Sequence, residues 1–74
     1  MSEVLIYYHL RDDGDVDTVV YEVRRKKRVL LGRRRCSRPM FNLLRKLTNV
    51  VRASDDGVKV TYHEVKEAKS RHET

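Results

Sequence analysis

The sequence has few of the residues that small proteins use to lock a fold or cross a membrane. It contains one cysteine, Cys36, which excludes an internal disulfide and indicates a reducing compartment. It has no tryptophan, and no aliphatic run exceeds three residues, so no segment can span a bilayer. No basic segment followed by an apolar one begins the chain, so we expect no signal peptide and a cytoplasmic location.

Catalytic and cofactor-binding patterns are also missing from the sequence. It has no glycine-rich phosphate loop, no H-E-x-x-H pair and no cysteine pair at zinc spacing. We therefore expect neither an enzyme nor a cofactor. His9, Cys36, His63 and His72 lack the spacing of metal ligands, so no metal site is expected. Cys36 is interpreted as a buried, inert side chain rather than as a reactive thiolate.

Positive charge, in contrast, is concentrated in one stretch. Residues 24–38, RRKKRVLLGRRRCSR, contain nine Lys and Arg and no acid, whereas residues 1–23 contain one base and six acids. The net charge is +6, and its uneven placement is an electrostatic footprint that predicts an acidic partner. Arg outnumbers Lys eleven to six, and Arg is better suited to bidentate contacts with phosphate or carboxylate.

These bases, with one tyrosine, form the predicted binding site. The alternative is a solvated surface, but nine bases without an acid repel one another and cost stability unless a partner offsets the repulsion. Tyr7 is included because it lies opposite the apolar face of its strand, where we expect it to be exposed. Tyr8, Tyr21 and Tyr62 are expected in the core or at its edge. The site comprises Tyr7, Arg24, Arg25, Lys26, Lys27, Arg28, Arg33, Arg34, Arg35 and Arg38.

Alternating apolar residues predict a hairpin at the start of the chain. Residues 3–11 and 16–24 are rich in β-branched and aromatic residues, and the turn sequence DDGD separates them. We expect Leu5–Arg11 and Asp17–Arg24 to pair as antiparallel strands. The aspartates lack the glycine and glutamate positions of an EF-hand loop, so a solvated turn is preferred over a calcium site. The acidic turn could also complement the basic stretch, within the molecule or in a second copy.

Two further strands are predicted. Val29–Leu31, followed by Gly32, indicate a short third strand. A first basic run, Arg25–Arg28, and a second basic run, Arg33–Arg35, would lie at its two ends. The sequence leaves open whether residues 28–32 pair. Residues 58–65 alternate cleanly and predict a final strand, with Val58, Val60 and Tyr62 directed inward. The polar residues 66–74 are expected to form a flexible tail.

A helix is predicted between the third and last strands. Ser37 is a good N-cap, Pro39 is tolerated in the first turn, and the helix should run from about Arg38 to about Ala53. Apolar residues at spacings of three and four are expected to face the core: Met40, Leu43, Leu44, Leu47, Val50 and Val51. Polar residues are expected on the opposite face: Asn42, Arg45, Lys46, Asn49 and Arg52.

Together these elements predict one α+β domain, residues 1–65, in the order β-β-(β)-α-β. A small, mainly antiparallel sheet would have one amphipathic helix packed on one face. For a chain of this size we expect a stability of roughly 3–5 kcal/mol, so dimerisation or complex formation could support the fold. We expect a monomer or a weak homodimer.

The size of the chain and two of its segments resemble a known class of regulator. The segments are EVLIYYHLRDDGDVDTVVYEV and RRKKRVLLGRRR, and the class is the accessory transcription regulators of lytic phages, in particular phages that infect Xanthomonas. The resemblance implies a phage-encoded protein that binds subunits of the host RNA polymerase, blocks promoter engagement and permits read-through of terminators. It carries over no site residues, because no motif fixes them.

Two functions therefore remain open for the same residues. In protein docking, the bases meet an acidic polymerase surface, while Tyr7 and the outer face of the first strand supply apolar contact. In direct DNA or RNA binding, the bases neutralise phosphates and Tyr7 stacks on a base. Five phosphate contacts would give a slope of about −4.5 in log affinity against log salt for duplex DNA.

Overall fold

The computed structural model describes residues 2–54 and 57–66, which form a four-stranded mixed sheet and one helix. The strand order is β3-β2-β1-β4; β2 is antiparallel to both of its neighbours, and β4 is parallel to β1. The predicted α+β class is confirmed, while residues 67–74 of the predicted tail lie outside the described residues. The elements are β1 (Ser2–Leu10), β2 (Asp15–Arg24), β3 (Lys27–Ser37), α1 (Arg38–Ser54) and β4 (Val58–Glu64).

The turn between β1 and β2 forms where the sequence predicted it. Gly14 has a φ of 94°, a left-handed value that a residue without a side chain adopts readily. Arg11 N donates to Asp15 O at 2.9 Å and closes the turn. β2 begins at Asp15, two residues before the predicted start, because Asp15 and Val16 already pair with the end of β3.

The prediction for the third strand was wrong in extent. β3 covers 11 residues, Lys27–Ser37, rather than the short stretch 28–32, and Gly32 lies inside it, opposite Val20. The second basic run therefore belongs to the strand and does not lie beyond its end. The cause is β2, whose ten residues offer a full ladder of backbone partners to the chain that follows. A bulge at Leu31 shifts the register, since Val20 pairs with Gly32 and Tyr21 with Leu30.

The helix packs on one face of the sheet, which we call the covered face. Ser37 Oγ accepts a hydrogen bond from Met40 N at 3.3 Å, as expected of an N-cap. The ring centroid of Phe41 lies 4.8 Å from that of Tyr8 and 6.1 Å from that of Tyr62. Phe41 thus places α1 against β1 and β4, and the helix also contacts β2 and β3. No helix in the described part of the chain is long and apolar enough to cross a membrane.

The helix is turned differently from the prediction. Phe41 is 3 % exposed, whereas Leu44, Leu43 and Leu47 of the predicted core stripe are 46, 49 and 53 % exposed. Arg45, which was placed on the outer face, lies over the rings of Tyr8, Phe41 and Tyr62 at 5.1 to 5.7 Å. Aromatic packing at Phe41 therefore sets the rotation of the helix, and the side chains of the aliphatic stripe are left about half exposed.

The core of the described residues is correspondingly small. Val16, Phe41 and Thr18 are the side chains there that are buried. Thr18 Oγ1 donates to Arg34 O at 3.3 Å, which satisfies its hydroxyl. The opposite side of the sheet, which we call the open face, includes Leu5, Tyr7, Val19, Tyr21 and His63, and no described element packs against it.

Candidate binding site on the basic edge

The predicted basic stretch forms one edge of the sheet, which we call the basic edge (residues 24–38). β3 is hydrogen-bonded to β2 on one side, and no other described strand pairs with its outer side. Side chains alternate along a strand, so Arg33 and Arg35 point to the open face and Arg34 to the covered face. The side chains of these bases therefore point to different faces of the sheet, but all of them lie along one edge. That edge is about 33 Å long at roughly 3.3 Å per residue.

Two bases form the tight turn between β2 and β3. Arg25 and Lys26 have φ values of 51° and 68°, the left-handed conformation that both central residues of a type I′ turn need. For a residue with a side chain this conformation costs about 1–2 kcal/mol, and Asn-Gly is the usual pair at such positions. Arg24 and Lys27 pair directly beside the turn. One end of the basic edge therefore carries four consecutive exposed bases.

Carboxylates of β2 neutralise two bases of the basic edge. Arg24 Nη2 lies 2.8 Å from Glu22 Oε1, and Arg35 Nε donates to Asp17 Oδ1 at 2.8 Å. Arg11 Nη1 also lies 3.3 Å from Asp17 Oδ2. The hydrogen bond from Arg35, followed by that from Arg11, holds the pKa of Asp17 below its usual value. A carboxylate of the amino-terminal hairpin, Asp17, thus forms an ion pair with a base of the basic edge in the same molecule.

Six bases of the basic edge keep their charge uncompensated. All six are exposed, and within the described part of the chain no carboxylate lies at ion-pairing distance from any of them. Arg38 is the first residue of α1, where the positive end of the helix dipole disfavours a further positive charge. The six are Arg25, Lys26, Lys27, Arg33, Arg34 and Arg38.

The remaining base, Arg28, belongs to an aromatic cluster on the open face. Its guanidinium carbon lies 5.7 Å from the ring centroid of Tyr7 and 5.1 Å from that of Tyr21. Arg28 Nη1 also donates to Tyr7 Oη at 3.1 Å. Tyr7 meets Tyr21 edge-on at 5.7 Å and stacks on His63 at 5.1 Å. Tyr7 therefore lies on the predicted face but is half-buried, because its ring is already surrounded.

The other candidates from the sequence take structural positions. Cys36 is half-buried opposite Val16 on the covered face. His9 Nδ1 lies 3.0 Å from Val65 O at the end of β4. Among the described residues no group of three or more His, Cys, Asp or Glu side chains could hold a metal ion. His72 lies outside those residues.

One aspartate of the first turn, Asp13, accepts local hydrogen bonds. Asp13 accepts from Arg11 Nε at 3.1 and 3.2 Å and from Asp15 N at 2.9 Å. The contact with Arg11, then that with the Asp15 amide, lowers the pKa of Asp13. These bonds hold the Asp13 carboxylate within the turn.

Comparisons with protein-family models, with curated proteins and with solved structures find no match for this chain. The site is therefore defined by its geometry alone. The geometry adds Tyr21, His63 and Arg45, whose ring contacts are not evident from the sequence pattern. The period-two pattern does put Tyr7, Tyr21 and His63 on one face once the strand register is known, and the register is the information that the sequence lacked.

Proposed function

We propose that this chain is a small, non-enzymatic, phage-encoded regulator that binds the host RNA polymerase in the bacterial cytoplasm. It would dock through the basic edge on an acidic surface of polymerase subunits, inhibit initiation and permit read-through of terminators. The direction of these effects comes from the resemblance of the sequence to phage transcription regulators. The observation that carries the proposal is the row of six uncompensated bases along one edge of the sheet.

The strained turn at Arg25 and Lys26 supports a role in binding. Both residues adopt left-handed values at a cost of about 1–2 kcal/mol each, where Asn-Gly would fit with little strain. Backbone strain that serves no packing is concentrated at functional sites in proteins. Since both side chains are exposed, the benefit that offsets this cost lies outside the folded chain, in a partner that uses the two charges.

The outer side of β3 offers a second type of contact to an acidic protein. Its main-chain N–H and C=O groups have no partner strand among the described residues. An extended acidic segment could add to the sheet there, with main-chain hydrogen bonds giving affinity and the bases giving specificity. The same bases hinder pairing between two copies, because two basic edges repel each other.

The aromatic cluster favours protein docking over base stacking. A base could stack on Tyr7 only by displacing Arg28 or His63, which already lie against its ring. The cluster, in which Tyr7 and Tyr21 are half-buried and His63 is exposed, instead offers an aromatic surface of the type that is enriched in protein interfaces. Docking uses this surface as it stands.

Direct nucleic-acid binding is the second candidate function, and the uncompensated bases favour it independently of Tyr7. Lys and Arg side chains can neutralise nucleic-acid phosphates in many different folds. A strand edge about 33 Å long, at roughly 3.3 Å per residue, spans several nucleotides. Binding of this kind would weaken steeply with salt, because each neutralised phosphate releases counterions.

Purified polymerase separates the two functions. Immobilised chain should retain nuclease-treated RNA polymerase, and the variant Arg33→Glu, Arg34→Glu should lose it. The matched control is Lys59→Glu, Lys66→Glu, which makes the same change in net charge on the opposite edge of the sheet and should retain polymerase. Loss of polymerase after nuclease treatment, together with retention of short DNA or RNA, would replace docking with nucleic-acid binding.

A further inference from the structure

The carboxyl-terminal part of β3 has a regular edge along which one more strand could pair. From Gly32 to Ser37, six consecutive residues keep an unbroken register with β2, and the bulge at Leu31 ends this run. No other strand of the described chain pairs with β3. The main-chain N–H and C=O groups on the outer side of such an edge can bind an extended chain.

Two arginines line this edge on the open face. Arg33 and Arg35 are two residues apart, which is the period of a strand, so both point to the same face. Arg33 has no carboxylate at ion-pairing distance in the described part of the chain. Arg35 donates to Asp17 through Nε, but a guanidinium carries several N–H donors, so its remaining groups can bind a second carboxylate. The open face therefore favours acidic side chains at alternate positions of an added strand.

The covered face of the same edge has room for apolar side chains. A Cβ at Gly32 would have no neighbour within 4 Å, so the space beside the backbone is open there. Cys36 is half-buried, and it borders a groove of about 430 Å³ that Phe41 and Leu44 of the helix also line. Arg34 is exposed and keeps its charge in water, while its aliphatic stem can pack against an apolar neighbour. Apolar side chains of a strand about 4.8 Å from β3 would reach the margin of this groove.

Charge and sequence pattern disfavour the strands that this chain itself could supply. β3 of a second copy would bring the same bases, and like charges across an interface oppose association. The open-face residues of β4 are Lys59, Thr61 and His63, and none of them is a carboxylate. Residues 67–74 contain a single aliphatic residue, so they lack apolar residues at alternate positions. These features favour a strand from a different protein.

We propose that β3 accepts an extended segment of a partner protein as a fifth strand along Gly32–Ser37, and that acidic and apolar residues alternate in this segment. Its carboxylates on the open face would meet Arg33 and Arg35, and its apolar side chains on the covered face would lie beside Gly32 and Cys36. This mode of binding rests on the proposed docking at the basic edge, and it specifies the conformation and the sequence pattern of the segment that docks there.

A pair of designed peptides tests the sequence pattern on the full-length chain. The probe is a labelled peptide of alternating Glu and Val, and the control has the same residues in two blocks, all Glu followed by all Val. The two peptides have equal charge and composition and differ only in alternation. Fluorescence anisotropy should show saturable binding of the alternating peptide and about tenfold weaker binding of the block peptide, a difference of about 1.4 kcal/mol.

Backbone methylation tests whether the peptide binds as a strand. The N–H groups of alternate residues lie along the same edge of a strand, so the Glu amides lie along one edge and the Val amides along the other. Methylation of all Glu amides therefore blocks one edge of the alternating peptide, and methylation of all Val amides blocks the other. One of the two methylated peptides should bind about as well as the parent, and the other should bind at least about tenfold more weakly.

Two variants with the same loss of charge locate the site. Arg33 and Lys59 are both exposed on the open face, but they lie on opposite edges of the sheet. Arg33→Ala should weaken binding of the alternating peptide about tenfold, and Lys59→Ala should leave it unchanged. Circular dichroism of both variants establishes that each remains folded, as the exposure of both positions predicts.

Four outcomes overturn the proposed strand addition. They are the absence of saturable binding by the alternating peptide, equal binding of the alternating and block peptides, equal affinities of the two methylated peptides, and equal effects of Arg33→Ala and Lys59→Ala. Equal affinities of the methylated peptides would mean that the side chains bind without the main chain, as they would bind nucleic-acid phosphates.

A competition experiment separates this proposal from the proposed function. Excess alternating peptide should release polymerase from the immobilised chain. If polymerase is retained and the peptide does not release it, docking at the basic edge stands and strand addition is overturned. Binding of the peptide without any retention of polymerase would support strand addition and overturn polymerase as the partner.

Discussion

Arg35 and Asp17 lie opposite each other on β3 and β2, joined by a hydrogen bond of 2.8 Å from Arg35 Nε to Asp17 Oδ1. Arg33, two residues away on the same face, lies opposite Val19 and has no carboxylate partner in the described part of the chain. Two arginines of one strand and one face therefore differ in what they can offer to a partner. The difference separates the structural bases of the basic edge from the bases that are available for binding.

The Asp17 carboxylate should make stability depend on acid pH. Its folded-state pKa is lowered, chiefly by the hydrogen bond from Arg35, so its contribution is present above the unfolded-state pKa of about 3.9. That contribution is lost as the pH falls through the lower, folded-state value. Thermal unfolding should show the wild type losing more stability than Asp17→Asn between about pH 6 and pH 2. Parallel pH profiles for the two proteins would contradict this assignment.

Relief of the strained turn should raise the stability of the chain and weaken its binding to a partner. Replacing Arg25 by Asn and Lys26 by Gly should stabilise the chain by about 1–2 kcal/mol, because both new residues adopt positive φ more readily. Urea unfolding measures this change. The same variant should bind the acidic partner more weakly, since two uncompensated charges are removed. A variant that is less stable than the wild type would show that the turn is not under strain.

Arg45 should stabilise the fold through its position over three aromatic rings. Arg45→Ala should cost about 1–2 kcal/mol, because it removes the cation–π contacts together with the packing of the arginine stem. Lys46→Ala is the matched control, as it removes a neighbouring exposed base and should change stability by less than about 0.5 kcal/mol. Equal effects in urea unfolding would mean that Arg45 is a solvated surface residue.

The hydroxyl pair between Thr48 and Tyr62 should anchor α1 to β4. The two oxygens lie 3.0 Å apart, and Thr48 Oγ1 also lies 2.8 Å from Leu44 O. Thr48→Val and Tyr62→Phe should each cost about 1 kcal/mol. A double-mutant cycle should show that the combined loss is smaller than the sum of the single losses. Full additivity would indicate that the two hydroxyls act separately.

Local patterns were sufficient for much of the fold. Period-two alternation identified three of the strands, and Ser37 followed by regularly spaced apolar residues placed the helix within one residue at its end, Ser54. The length of β3 was not accessible in this way, because Arg33 and its neighbours enter the strand only through pairing with β2. Edge strands accept charged residues, so their composition conceals them.

The rotation of the helix about its axis could not be predicted from the sequence for a different reason. A stripe of aliphatic residues normally faces the core, but here Phe41 packs between Tyr8 and Tyr62 and turns the stripe aside. Three aromatic rings from separate elements meet only when the sheet order is known. The ion pair of Asp17 likewise depends on a cross-strand register that no local pattern contains.

Titration of labelled chain with purified RNA polymerase at about 150 mM salt tests the central claim most directly. The claim is that uncompensated bases of one sheet edge bind an acidic surface. Arg33→Ala, Arg34→Ala should weaken binding at least tenfold, whereas Lys59→Ala, Lys66→Ala, with the same loss of charge at the other edge, should change it by less than about twofold. Equal affinities for the two double variants, or no saturable binding by the wild type, would contradict the account.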